Sequence, residues 1–201
     1  MSTVSGQRDR ATQLAKSRPD EAFEVASGIA NAWYRVQALA WVVRFAPPDI
    51  SLTALKKAAS SAAEGKDSYC QAAVLAWPIR AAIERGYEDL AAPMLAGARI
   101  TLPRIELFCS RAEACSLLFQ AAFEGPRHLW EPLLDEILSL CPPGSHWRAA
   151  RLYRTIGAIL ADRDGHAARL FIESIPPGKA QSHCLRDFEN GVRRPPRPFF
   201  W

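Results

Sequence analysis

The sequence predicts an all-α fold, a right-handed α-α superhelix (solenoid) of about five helical hairpins, and three observations carry that prediction. The phrase Ala38, Leu39, Ala40, Trp41, Val42, Val43, Arg44 returns thirty-six residues later as Val74, Leu75, Ala76, Trp77, Pro78, Ile79, Arg80, with Leu, Ala, Trp and Arg in register. At the other end, Cys141, Pro142, Pro143, Gly144 is echoed thirty-four residues on by Ile175, Pro176, Pro177, Gly178, and Ile137, Leu138, Ser139 by Phe171 or Ile172, Glu173, Ser174. Between these marks apolar residues recur at helical spacing and stop at Gly or Pro. A period of roughly 34 to 42 residues holding two helices is that of units too small to bury their apolar stripes alone, which stack on their neighbours instead.

The elements follow in order. Residues 7–17 form a short polar helix with a weak apolar edge of Ala11, Leu14 and Ala15, suited to capping the array. Pro19 ends it, and Asp20 opens the next helix as N-cap, with Glu21 and Glu24 in its first turn and Gly28 and Asn31 at its end. Its partner, 32–46, is apolar around most of its circumference; only Gln37 and Arg44 share a polar edge, so neighbours cover it on both sides. After Pro47 and Pro48, Ser51 or Asp49 caps a helix at 52–63. Asp67 or Ser68 caps the next, which runs to Arg85 and Gly86. Pro78 in its middle removes an amide donor and crowds the carbonyl of Val74, which predicts a kink. Helices at 87–98 and 105–123 make the third hairpin, 129–140 and 145–161 the fourth, and 167–175 and 179–189 the fifth. Residues 1–191 thus form one helical-repeat domain, and Gly191 starts a Pro, Arg and aromatic tail at 192–201.

Composition bounds the class. With 201 residues and 49% hydrophobic content the chain buries a sizeable core. The formal charge of +4 is uneven: residues 144–201 carry ten Lys or Arg against five Asp or Glu, and residues 1–143 fifteen against sixteen. Five cysteines, odd in number and without a Cys-x-x-Cys pair, point to reduced, mostly buried thiols rather than disulfides or zinc. The first ten residues have no apolar core of a leader, and no later stretch nears the eighteen apolar residues of a membrane span. The expectation is a cytoplasmic protein without membrane contact, cofactor or metal.

The helical-hairpin period resembles the tetratricopeptide and HEAT-like superhelices in architecture, over nearly the whole chain. The tetratricopeptide consensus of Trp, Leu-Gly, Tyr, Ala, Phe and Pro at fixed offsets is absent from every unit. The resemblance implies a curved stack whose groove takes a protein, a peptide or sometimes nucleic acid, and it transfers no binding residue. Aligning the partner helices on Leu39, Leu75, Leu117, Leu152 and Leu185 gives, two positions on, a column of Trp41, Trp77, Phe119, Arg154 and Asp187. Arg44 and Arg80 follow each Trp by three residues, within reach of its indole. Gln37, Trp41, Arg44, Trp77 and Arg80 therefore make the candidate groove wall. The plainer reading has both Trp filling gaps between hairpins.

A second candidate is the basic face Arg148, Arg151 and Arg154, which share one side of a helix opposite Ala149, Leu152, Tyr153 and Ile156. It grips phosphates or an acidic peptide, or it is a solvated face paired with Glu136, Asp162 or Asp164. His128, His146, His166 and His183 lack the partner three or four residues away that a helical metal pair needs. Arg35 and Arg148, each following a Trp or Trp-Tyr at a helix start, suggest structural bonds to carbonyls or acids of the adjoining hairpin. In the tail, Pro195, Pro196 and Pro198 set a polyproline II path with basic flanks, followed by Phe199, Phe200 and Trp201. Three aromatics are costly to leave in water, so the tail is expected to pack on this chain or a partner. The functional reading is a non-catalytic protein-protein interaction or adaptor module. The alternative is a nucleic-acid-binding protein using the C-terminal basic face, and the third a helical-repeat enzyme acting on nucleic acid.

Overall fold

The computed structural model describes residues 3–142, 144 and 147–200, so the expected helix start at Ser145, His146 and Trp201 lie outside the described residues. Among the described residues the fold is helical without strands. The helices are α1 (Val4–Leu14), α2 (Pro19–Ser27), α3 (Ala32–Phe45), α4 (Pro48–Ala63), α5 (Ser68–Ala73), α6 (Ala76–Glu84), α7 (Glu88–Thr101), α8 (Phe108–Ala122), α9 (Arg127–Leu140), α10 (Trp147–Arg163), α11 (Gly165–Ser174) and α12 (Lys179–Glu189), with a 3-10 turn at Leu102–Arg104.

Consecutive helices pair as α1 with α2, α3 with α4, α6 with α7, α8 with α9 and α10 with α11, so 32–46, 105–123 and 145–161 pack chiefly on the helix that follows each and not on the one before it, as the expected hairpins had it. The first members of the pairs also touch in chain order, α1 on α3, α3 on α6, α6 on α8, α8 on α10, and α10 on α12. We refer to α1, α3, α6, α8, α10 and α12 as the inner row. The core is continuous along it, and α3 and α8 are buried on several sides, as their near-uniform apolar sequence requires.

Local chemistry explains where the elements begin and break. Asn31 and Asp67 cap α3 and α5 by accepting from Tyr34 N–H and Cys70 N–H, and Asp164 caps α11 through Ala167 N–H. Pro48 begins α4 rather than merely preceding it, because the first helical position needs no amide donor. Ser51 is consequently inside the helix, where its buried hydroxyl donates to Val43 O at 2.8 Å. Likewise Pro19 starts α2, with no side-chain cap from Asp20. The kink expected from Pro78 is a full interruption between α5 and α6 at Val74 and Leu75, the turn whose carbonyl the proline ring crowds. Gly86, at φ 72°, then ends α6, with Tyr87 N–H reaching back to Ala82 O at 2.8 Å.

Three side chains make the same contact at corresponding places on α3, α5 and α8, and they align these helices more exactly than the Leu and Trp phrase does. Arg35 Nη1 donates to Ile29 O at 2.8 Å, Gln71 Nε2 to Gly65 O at 3.0 Å, and Arg111 Nη2 to Ile105 O at 2.7 Å, each six residues back. Arg35 also binds Ser61 and Glu64, and Arg111 also binds Leu140 O, so both tie an inner helix to the far end of its own hairpin. The structural role expected of Arg35 holds, but its equivalent is Arg111; Arg148 sits elsewhere, its guanidinium 5.2 Å from the Trp147 ring centre. On this register Trp41 and Trp77 answer Leu117, not Phe119, and Arg44 and Arg80 answer Gln120. The Leu-based alignment is shifted by two residues in α8. Leu39, Leu75, Leu117 and Leu152 are all buried nonetheless.

Candidate functional site

Gly191, at φ 70°, ends α12 with Val192 N–H bonded to Asp187 O at 2.9 Å, and this left-handed turn sends the last residues back along the inner row. The segment meets the helices in reverse order. Arg193 lies 5.3 Å over the Phe188 ring of α12, and Arg194 N–H donates to Ala158 O of α10 at 3.2 Å. Arg197 N–H donates to Gln120 Oε1 of α8 at 2.8 Å, and its guanidinium reaches Glu113 at 3.8 Å. Three residues of polyproline II advance about 9 Å, close to the 8–10 Å between packed helices. Pro195 and Pro196, which fix φ near −65°, thus carry the chain from α10 to α8 in one stride.

The anchor is aromatic. Phe199 is 3% exposed and meets Trp77 of α6 edge-on at 5.5 Å, while Trp77 Nε1–H donates to Phe199 O at 3.1 Å. Phe200 meets Trp41 of α3 edge-on at 5.2 Å, and the Arg44 guanidinium lies 4.2 Å from the centre of the Phe200 ring. Trp77 is buried and also touches Trp33, so it fills space between hairpins and at the same time gives its one polar atom to the tail.

Acidic residues hold the wall in place. Glu84 accepts from Arg44 at 2.5 Å and from Arg80 at 2.8 Å, and Glu124 pairs with Arg80 and Arg163. Arg44 stacks on Trp41 at 5.2 Å, as its spacing predicts; Arg80 is drawn to the carboxylates. Gln37 is buried and accepts from Arg8 of α1 at 3.5 Å. Helical spacing puts Glu84 on the side of Trp77 and Arg80, whereas nothing in the sequence reading points to Gln120, Glu113 or Glu124. Aligning on Arg35, Gln71 and Arg111 finds Gln120 at once, in the column of Arg44 and Arg80.

The basic face divides. Arg154 makes a two-point pair with Asp187 at 2.6 and 3.2 Å, joining α10 to α12 through the two charged members of the predicted column. Arg148 and Arg151 instead line a cleft between α8, α10 and the tail. The cysteines are free thiols, with Cys115, Cys141 and Cys184 buried. Cys115 and Cys141 share a hydrogen bond that lowers the Cys141 thiol and raises that of Cys115, with nearby Arg111 also favouring a Cys141 thiolate. Among the described residues no group of three or more His, Cys, Asp or Glu is placed to hold a metal, and no helix is long and apolar enough to cross a membrane. No protein-family model, curated protein or solved structure matches the chain.

Proposed function

We propose that the chain is a non-catalytic protein-interaction or adaptor module of the cytoplasm, built as a right-handed superhelix of helical hairpins. Its inner row binds extended segments in which prolines precede aromatics, and its own C-terminal residues occupy that row at rest. The observation that carries this reading is the buried Phe199 with its carbonyl bonded to Trp77 Nε1. One backbone contact per helix and ring-filled gaps between helices are how a repeat protein reads an extended peptide. The free thiols suit a reducing compartment. The nucleic-acid alternative has less support, since Asp187 takes Arg154 out of the three-Arg stripe.

The test uses the chain lacking residues 192–201 and a labelled peptide of residues 191–201. Saturable binding is expected, with loss of at least tenfold in affinity on Trp77→Ala, and weaker binding to the intact chain because its tethered tail competes. A tail-less chain that unfolds cooperatively yet fails to bind the peptide would overturn the reading.

A further inference from the structure

The cleft beside the tail has a chemistry that peptide docking does not explain. It measures about 630 Å³ and is walled by α8, α10 and the returning C-terminal segment. Among the described residues its lining includes the guanidinium groups of Arg148 and Arg151 from α10 and of Arg194 and Arg197 from the tail, together with the carboxylate of Glu113. Arginine stays protonated in any protein setting, so this charge is permanent. Many of the arginines elsewhere are matched to acceptors: Arg35, Arg44, Arg80, Arg99, Arg154 and Arg163 each face a carboxylate within ion-pair distance, and Arg111 donates to backbone carbonyls. Here, among the described residues, neither Arg151 nor Arg194 pairs with a carboxylate, and Arg197 shares Glu113 at 3.8 Å. Bringing the tail's Arg194 and Arg197 up to Arg151 is repulsive on its own, and the carboxylate of Glu113, at 3.8 Å from Arg197, offsets it only in part.

The remaining lining is polar at the right places. Ser110, Ser116, Thr155 and Tyr69 bring hydroxyl groups to the same walls. Guanidinium forks joined by hydroxyl donors are the groups that bind phosphate oxygens through several directed bonds. We propose that this cleft is a binding site for a small polyanion of the phosphate class, formed only when the tail is docked. Two of its four cations come from the tail, so anion binding and tail docking are linked: whatever occupies the cleft holds the tail on the inner row. The proposal stands on the cleft itself and does not require that a peptide partner ever displaces the tail.

Inorganic pyrophosphate is the probe, with citrate and a twelve-nucleotide single-stranded DNA as comparisons, followed by calorimetry on the intact chain. Pyrophosphate should bind saturably, more tightly than citrate. Arg151→Gln and Arg197→Gln should each weaken it at least tenfold, and removal of residues 192–201 should weaken it by more. Arg169→Gln, remote from the cleft and paired with Glu173 on the surface, should leave it unchanged. The linkage has its own readout in tryptic cleavage at the Arg193–Arg194 bond. At one hundred times the dissociation constant, pyrophosphate should slow that cleavage by up to about a hundredfold, the factor by which it depletes the undocked state. Binding that is equal in Arg151→Gln and in the tail-less chain would overturn the proposal, as would the absence of pyrophosphate binding. An oligonucleotide that binds while pyrophosphate neither binds nor competes would also overturn it, in favour of a nucleic-acid face.

Discussion

The two ends of the inner row hold the same segment by different means. At α3 and α6 the tail is pinned by Trp41, Trp77 and their two phenylalanine partners, with the nearby arginines already neutralised by Glu84 and Glu124. At α8 and α10 it is held by single backbone bonds to Gln120 and Ala158, beside an arginine cluster with one acid. Burial of aromatic surface is insensitive to salt, whereas a charged cleft is screened within about 10 Å at 0.1 M ionic strength. One segment can therefore be anchored permanently at its end and set by solutes at its middle.

The largest effect should come from the anchor. Truncating a fully buried Phe costs about 3–5 kcal/mol, but the loss at Phe199 is capped by the free energy of docking, because once the tail leaves no further cost accrues. Phe199→Ala should therefore behave like deletion of residues 192–201: rapid tryptic cleavage at Arg193–Arg194, and a thermal midpoint equal to that of the tail-less chain. A Phe199→Ala chain whose tail stays protected would show that the charged stretch suffices, and would reverse the comparison.

Alkaline pH separates the two ends in another way. Cys184, between α12 and α10, has its thiol pushed up to about 11 from 9.0, by burial first and then by Asp187. A raised folded-state pKa means that the folded chain holds this proton more tightly than the unfolded chain. The stability contributed is complete below pH 9 and is lost as pH rises towards about 11. Burial raises the Cys70 thiol of α5 to about 11 as well, so hydrogen exchange should show α12 and α5 loosening in that window before α3, which carries no such thiol. Cys184→Ser should flatten the decline. Uniform loosening along the chain would argue against the buried thiols as its cause.

At the middle of the tail, Gln120→Ala removes the acceptor for Arg197 N–H and leaves that amide partly buried without a partner. The cost to docking should be about 1 kcal/mol, read as roughly a fivefold rise in the tryptic cleavage rate. Gln120→Glu keeps an acceptor and adds a charge towards the cleft, so it should restore protection and weaken pyrophosphate.

Much of this was legible in the sequence. The Trp41 and Trp77 echo places both anchors, and a Pro-rich basic segment ending in aromatics announces that it will be packed. The phase of the third hairpin was not, because an alignment on Leu follows the core, and the core admits any apolar residue of suitable size. Arg35, Gln71 and Arg111 fix the phase since each must reach a particular carbonyl, yet Arg and Gln share only their donor capacity, which a search for identical residues passes over. Nor does the sequence say that groove and tail are partners. That depends on the left-handed turn at Gly191 and on residues 194, 197 and 199 meeting α10, α8 and α6 in turn, which operate across the row rather than along a helix.

The smallest effect belongs to the pair that closes the charged end. Arg154 and Asp187 meet at two points, but the Arg side chain is half exposed, at 49%, and the Asp 17%. Pairs of this kind contribute about 0.2–1 kcal/mol, because the attraction is screened and two side chains give up rotamer freedom. Arg154→Gln and Asp187→Asn, made singly and together, should yield a coupling energy inside that range, shrinking as salt is raised from 0.05 to 0.5 M. The same substitutions should leave tail protection nearly unchanged, since among the described residues the tail makes no hydrogen bond or ion pair with either side chain, Val192 bonding only the Asp187 carbonyl, and its anchor lies on α6. If Arg154→Gln released the tail as fully as Phe199→Ala, the row would be responding as one rigid unit, and the distinction between an apolar anchor and a charged, solute-sensitive middle would fail.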